Sequence, residues 1–222
     1  MKRPLILLHG ALGSAAHWQN IKSLLMDEFH IYCPDFPGHG NSDLPACNSV
    51  QDLSDFLADY IQYHQLKNPS IIGYSMGAYV ALKAIVSYHI PCERLICLAT
   101  KMDWSADIAI AESANLAQER LAPIWDKLQN LHGKHLDHLL SSTSSVLMSI
   151  GDAPLGPQDM SAITCPCLVL RGDKDKMVKA DENTRFVAYM SNGTYLEMLE
   201  QGHLLERMDP VIVTKYIRDF FA

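Results

Sequence analysis

Ile71-Ile72-Gly73-Tyr74-Ser75-Met76-Gly77 decides the fold, together with the Ala78, Val80, Ala81, Leu82, Ala84 and Ile85 that come after it. An apolar run enters this stretch and a helical run leaves it. The G-x-S-x-G pattern therefore sits at a strand-to-helix turn, the context that makes it a nucleophile elbow. Such a turn strains the serine backbone and exposes its hydroxyl at the carboxyl edge of a sheet. Glycines on both flanks let strand and helix approach closely. The next N–H, that of Met76, is expected to face a developing oxyanion.

Outward from the elbow, short runs rich in Ile, Leu and Val alternate with amphipathic segments, the pattern of parallel strands buried on both faces and joined by helices. The predicted strands are Leu5–Leu8, Ile31–Cys33, Ser70–Tyr74, Arg94–Ala99, Cys167–Arg171 and Tyr195–Leu199. Helices are predicted near His17–Met26, Val50–Tyr63, Met76–Tyr88, Asp181–Met190 and Pro210–Phe221, the last with Asp209 as N-cap. The fold class is α/β, a mostly parallel sheet of about six strands with helices on both faces. From Asp103 to Ile163 no strand-like run occurs; Asp107–Lys127 and His132–Met148 read as helices and Gly151–Pro157 as a loop. An insertion after the fourth strand lies over the sheet edge where ligands bind. The expected division is a core of 1–102 and 164–222 with a helical cap of 103–163.

The 222 residues are 48% apolar and carry a net charge of −7. That supports a large core and argues against nucleic-acid and anionic-membrane partners. Met1-Lys2-Arg3-Pro4 precedes only a four-residue apolar run, so no signal peptide is expected, and no stretch approaches membrane-spanning length. Cys33, Cys47, Cys92, Cys97, Cys165 and Cys167 form no redox or zinc pattern and read as free, mostly buried thiols of a cytoplasmic protein.

A serine hydroxyl needs a base to remove its proton and a carboxylate to orient that base. With G-x-S-x-G the partners come in the order Ser, Asp or Glu, His. Asp175, in Gly172-Asp173-Lys174-Asp175, and His203, in Gln201-Gly202-His203, each lie just after a predicted strand. Asp173 and Asp103 remain alternatives for the acid. The second oxyanion donor is sought in His9-Gly10-Ala11-Leu12-Gly13-Ser14, at the Ala11 N–H, with Leu12 as fallback. His9 itself reads as a structural histidine bonding loop backbone.

Taken in order, His9-Gly10, Asp35-Phe36-Pro37-Gly38-His39-Gly40-Asn41-Ser42, the elbow, Gly172-Asp173-Lys174-Asp175 and Gly202-His203 closely resemble the α/β-hydrolase superfamily, in its small capped, esterase-like branch. The resemblance spans nearly the whole chain. It implies a serine hydrolase with an acyl-enzyme intermediate, no metal and no cofactor, and a structural role for the loop holding Asp35 and His39. Two departures stand out: relatives usually carry a hairpin before the first of these strands, and Ala78 replaces a common glycine. The chain also resembles the menaquinone-pathway synthase that eliminates pyruvate, which makes a lyase or C–C hydrolase the alternative activity. That family carries an arginine shortly after the serine; Tyr79 stands here, and the cap is poor in arginine apart from Arg120.

Apolar cap residues such as Trp104, Leu121 and Leu147 are expected mainly to pack the cap, with the remainder lining a pocket for small or medium uncharged esters or thioesters. His132, His135 and His138, with Asp137, have a spacing a metal site could use, but Gly133 interrupts the helix, and a solvated polar face explains them more cheaply.

Overall fold

The computed structural model describes residues 2–222. Its strands are β1 (Arg3–Leu8), β2 (Phe29–Tyr32), β3 (Ser70–Tyr74), β4 (Leu95–Leu98), β5 (Cys167–Gly172) and β6 (Gly193–Met198). The helices are α1 (Gln19–Leu25), α2 (Val50–Tyr63), α3 (Met76–Tyr88), α4 (Ala106–Ala114) and α5 (Gln118–Leu121). They continue with α6 (Trp125–His132), α7 (Leu136–Asp152), α8 (Pro157–Ser161), α9 (Ala180–Val187) and α10 (Pro210–Phe221). Every predicted strand is present, its ends shifted by no more than about two residues, the usual latitude of such boundaries.

Among the described residues the sheet is parallel throughout, in the order β2-β1-β3-β4-β5-β6. Alternate side chains serve opposite faces. Leu5, Leu7, Ile72, Ile96, Leu98 and Leu170 pack with Ile21 and Leu25 of α1 and with Val213, Ile217 and Phe221 of α10. Ile6, Leu8, Ile71, Cys97 and Val169 pack with α2 and α3 through Leu53, Leu57, Ala81 and Leu82. Each fully buried Leu or Ile contributes roughly 2 kcal/mol of transfer free energy, so burial on both faces explains why these strands are continuously apolar.

The order places β1 between β2 and β3. The chain leaves β1 toward β2 and later returns on its other side to form β3, so β1 and β3 flank the topological switch point. Their carboxyl ends carry the Ala11 loop and Ser75. Ligands bind at such crevices in open parallel sheets.

From 103 to 163 the chain is helical, as expected, but its boundaries differ. α7 runs on to Asp152, and Pro157 opens α8, so the predicted loop 151–157 shrinks to 153–156. Gly151 is a packing residue: a Cβ there would meet the Ala109 Cβ at 2.4 Å and the Ser105 carbonyl at 2.8 Å, where α4 crosses α7. Pro157 fits because the first residue of a helix donates no intrahelical bond. The six cysteines are free, but only Cys97 and Cys167 are buried. The others sit in loops at the ends of elements, where apolar runs do not guarantee burial. Among the described residues no helix is long and apolar enough to cross a membrane.

Candidate active site

β3 ends and α3 begins with Ser75 between them, at φ 51°, ψ −119°. This is a backbone region that non-glycine residues rarely occupy, costing on the order of 1–3 kcal/mol. Its surroundings impose it. A Cβ on Gly73 would lie 2.3 Å from the Ala78 Cα, and one on Gly77 would lie 2.4 Å from the His9 carbonyl. Only glycines let α3 start this close to β3 and β1. Leu12, Ala99 and Glu200, after β1, β4 and β6, share the positive φ. Gln65, Asn68 and His89, at the opposite edge of the sheet, have it too, so among them it is the Ser75 pair of angles that marks the elbow.

Ser75 caps α3 without using its hydroxyl. It lines a cavity of about 230 Å³ together with Met76, Ala11, Leu12 and His203. The Met76 N–H opens α3 and has no intrahelical acceptor. Neither it nor the Ala11 N–H donates in the described turn, loop and cap bonds. Both amides therefore remain free for a ligand oxygen.

His203 Nδ1 lies 2.8 Å from Asp175 Oδ2, with the Asp175 side chain fully buried and that of His203 10% exposed. Against the carboxylate Nδ1 carries the proton, which leaves Nε2 with a free lone pair as the basic nitrogen. This is the only side-chain hydrogen bond of His203 among the described residues, so the ring is not bonded to Ser75 in this state. Such contacts characteristically close only when substrate is bound. The other Asp175 oxygen accepts the Met177 and Val178 N–H groups at 2.8 and 3.0 Å. Burial pushes the Asp175 carboxyl up, but the His203 bond and charge and these two amides outweigh it and hold the group below its ordinary value.

Of the sequence-predicted residues, the structure brings Ser75, Met76, Ala11, Asp175 and His203 to one place. Asp173 turns toward Lys174, and Asp103 pairs with Arg185 at 2.9 Å in the open. His9 is structural, as expected: its Nε2 accepts the Phe36 N–H at 3.0 Å and its Nδ1 donates to the Gly10 carbonyl at 2.9 Å. Asp35 accepts the Ala15 and Asn41 N–H groups, tying its loop to the one carrying Ala11.

Sequence reasoning missed two residues. Arg171, buried at the end of β5, donates from Nε to the Val178 carbonyl and from Nη2 to the Asp175 carbonyl, both at 2.7 Å. Its third contact is Glu197, at 2.7 Å. The guanidinium therefore sets the loop that presents Asp175. Arg171→Met leaves two carbonyls without partners and is expected to cost about 3 kcal/mol in urea unfolding, with the Asp175 loop loosened. Arg171→Lys should recover little, since an ammonium lacks the planar fork.

The second is His132, whose role was missed: of the histidine face read as solvated, His135 and His138 are exposed as expected, whereas His132 is not. It is 3% exposed; its Nδ1 accepts the Gly40 N–H at 3.1 Å and its Nε2 donates to the Leu12 carbonyl at 3.0 Å. Gly133, at φ 56°, ends α6 there. His132 thus docks the 103–163 segment onto the loop that carries Ala11. His9, His39 and His132 form a row, with ring centroids 4.9 and 5.9 Å apart.

Burial holds all three rings neutral, His9 down to about 3 from the ordinary 6.5, His39 well below it and His132 below it. The folded pKa values lie under the unfolded ones, so this contribution is complete above pH 6.5 and is lost as pH falls toward the folded values. His9 alone should remove about 1.4 kcal/mol of stability per pH unit below 6.5, down to about 3. Urea midpoints measured from pH 7 to pH 4 are expected to fall steeply, and a flat profile would contradict neutral burial.

The sequence profile of the alpha/beta hydrolase family matches residues 5–212. The "Uncharacterized hydrolase YugF" of Bacillus subtilis is 20% identical across 99% of this chain and 90% of its own. The 2-succinyl-6-hydroxy-2,4-cyclohexadiene-1-carboxylate synthase of an Escherichia coli strain is 32% identical over 36% of this chain and 31% of its own. Among solved structures, a thermophilic esterase from Thermogutta terrifontis superposes with a TM-score of 0.80 at 20% identity, covering 100% of this chain and 90% of that one.

Proposed function

This chain belongs to the alpha/beta hydrolase family, and on that premise we propose that it is a serine hydrolase cleaving carboxylic esters or thioesters through an acyl-enzyme intermediate. The observation that carries the reading is the 2.8 Å Asp175–His203 hydrogen bond, made in the wall of the cavity that holds the unpartnered hydroxyl of a strained serine. Ser75 Oγ attacks the acyl carbon while His203 Nε2 takes its proton. The Met76 and Ala11 N–H groups receive the negative charge that forms on the carbonyl oxygen, each worth about 10²–10³ in rate. His203 then protonates the leaving alkoxide or thiolate, Asp175 stabilises the imidazolium, and water, deprotonated by His203, releases the acid. The helical 103–163 segment acts as the cap that closes the cavity.

A lyase or C–C hydrolase working with the same triad is a second reading, favoured by the local match to the synthase. Against it, the cavity wall contains no arginine; Tyr79 lines it and accepts the Leu155 N–H at 2.8 Å. The test is labelling by a fluorophosphonate together with turnover of p-nitrophenyl acetate and butyrate. Burst kinetics are expected. Absence of labelling would defeat the proposal, and labelling with esters left untouched while a β-diketone is cleaved would favour the second reading.

A further inference from the structure

The cavity is apolar apart from Ser75, His203, Tyr79, whose hydroxyl accepts from the Leu155 N–H, and a cluster at Lys101, Glu112 and Asn115. Lys101 lies just after β4, and Glu112 comes from α4. Their charged atoms lie 3.3 Å apart, with the side chains 20% and 22% exposed. Asn115 donates to the second Glu112 oxygen at 3.3 Å, and its own oxygen is taken by Arg120 at 3.1 Å. Glu112 is the sole described partner of the Lys101 ammonium, which has three N–H donors, so donors remain. The Glu112 carboxylate likewise keeps lone pairs after serving Lys101 and Asn115. Spare donors and spare acceptors therefore stand side by side in the wall of a largely apolar cavity.

We propose that Lys101 and Glu112 form a recognition subsite for a neutral polar group on the substrate, a hydroxyl or primary amide that accepts from Lys101 and donates to Glu112. This rests on the reading of Ser75 as nucleophile. The charge balance selects the neutral class. Lys101 already faces Glu112 and lies near the buried Glu182, whose carboxyl feels its charge. A substrate carboxylate would have to compete with the Glu112 carboxylate for Lys101, Arg120 being engaged by Asn115, and a substrate ammonium would meet Lys101. A plain alkyl end would cover charged groups without offering them hydrogen bonds. An amide or hydroxyl makes two charge-assisted bonds and leaves the ion pair in place.

The test compares kcat/KM for p-nitrophenyl esters of straight-chain acids from four to eight carbons, ending in methyl, carboxamide or carboxylate. A parallel arm uses acetate esters of alkanols with the same three ends, and so separates the acyl from the alcohol side. In one arm, at one chain length or more, the carboxamide is expected to exceed the methyl ester by roughly tenfold, with the carboxylate below both. Lys101→Met and Glu112→Leu should each bring the carboxamide-to-methyl ratio toward one. A wild-type preference for methyl ends at every length in both arms overturns the proposal, and this holds even if neither variant folds. Variants that lose both ester classes in equal proportion, with a lower melting temperature, would make the pair a latch between α4 and the sheet and would also overturn it. Failure of wild-type fluorophosphonate labelling would instead remove the serine-hydrolase reading beneath it.

Discussion

Ser75→Ala is expected to lower kcat on an activated ester by on the order of 10⁶-fold and to abolish fluorophosphonate labelling, with KM nearly unchanged. The hydroxyl has no role in capping α3, so its removal breaks no capping bond of the folded state. Alanine carries the same Cβ into the same positive-φ backbone, so the elbow keeps its strain and its shape. Thermal stability should therefore stay close to wild type. Ser75→Gly should be equally inactive yet more stable by about 1 kcal/mol, the relieved strain less the larger chain entropy that glycine loses on folding. Two inactive variants that separate in melting temperature would show that the turn is held against its own preference in order to expose a nucleophile. Retention of substantial turnover in Ser75→Ala would remove serine from the chemistry.

The elbow was legible because its cause is local. Gly73, Ser75 and Gly77 lie within five residues, and the close approaches that exclude a side chain at either glycine arise directly from a helix starting where a strand stops. The strands were legible because burial on both faces leaves few residue types available. Asp175 and His203 could be placed because each lies just beyond a readable strand, although choosing Asp175 over Asp173 needed the fold of one loop. Arg171 decides that loop, and a residue near a strand's end gives no hint that its side chain turns back over residues 175–178. His132 was illegible for another reason. Its partners, Gly40 and Leu12, are 92 and 120 positions away, and no periodicity within 132–138 could reveal them. Gly133 marks a helix interruption in the sequence, and its other consequence, a histidine at a helix end free to bond outside the helix, was the available signal. Gly151 misled in the opposite direction: beside prolines it resembled a turn residue, whereas its lack of a side chain serves contact between α4 and α7.

Asp175→Asn tests the least local member of the site, with an expected loss of about 10⁴ in kcat. The substitution is nearly isosteric, and the new amide oxygen can still accept from the Met177 and Val178 N–H groups, so the loop should hold its shape. The change falls on His203. An amide NH₂ now faces Nδ1, which must become the acceptor, and the ring proton moves to Nε2. That nitrogen can then no longer take a proton from Ser75. The amide also removes the charge that stabilises the imidazolium formed during attack. Because its partners hold the Asp175 carboxyl below the ordinary range, the wild type keeps this charge at any pH where a hydrolase would be assayed. Asp103→Asn and Asp173→Asn are the controls. Asp103 is engaged with Arg185 at the surface, and Asp173 faces Lys174, so each should stay within about threefold of wild type. If Asp103→Asn collapsed turnover while Asp175→Asn did not, the acid would have to reach His203 from the end of β4, and the 2.8 Å contact seen here would belong to a resting arrangement.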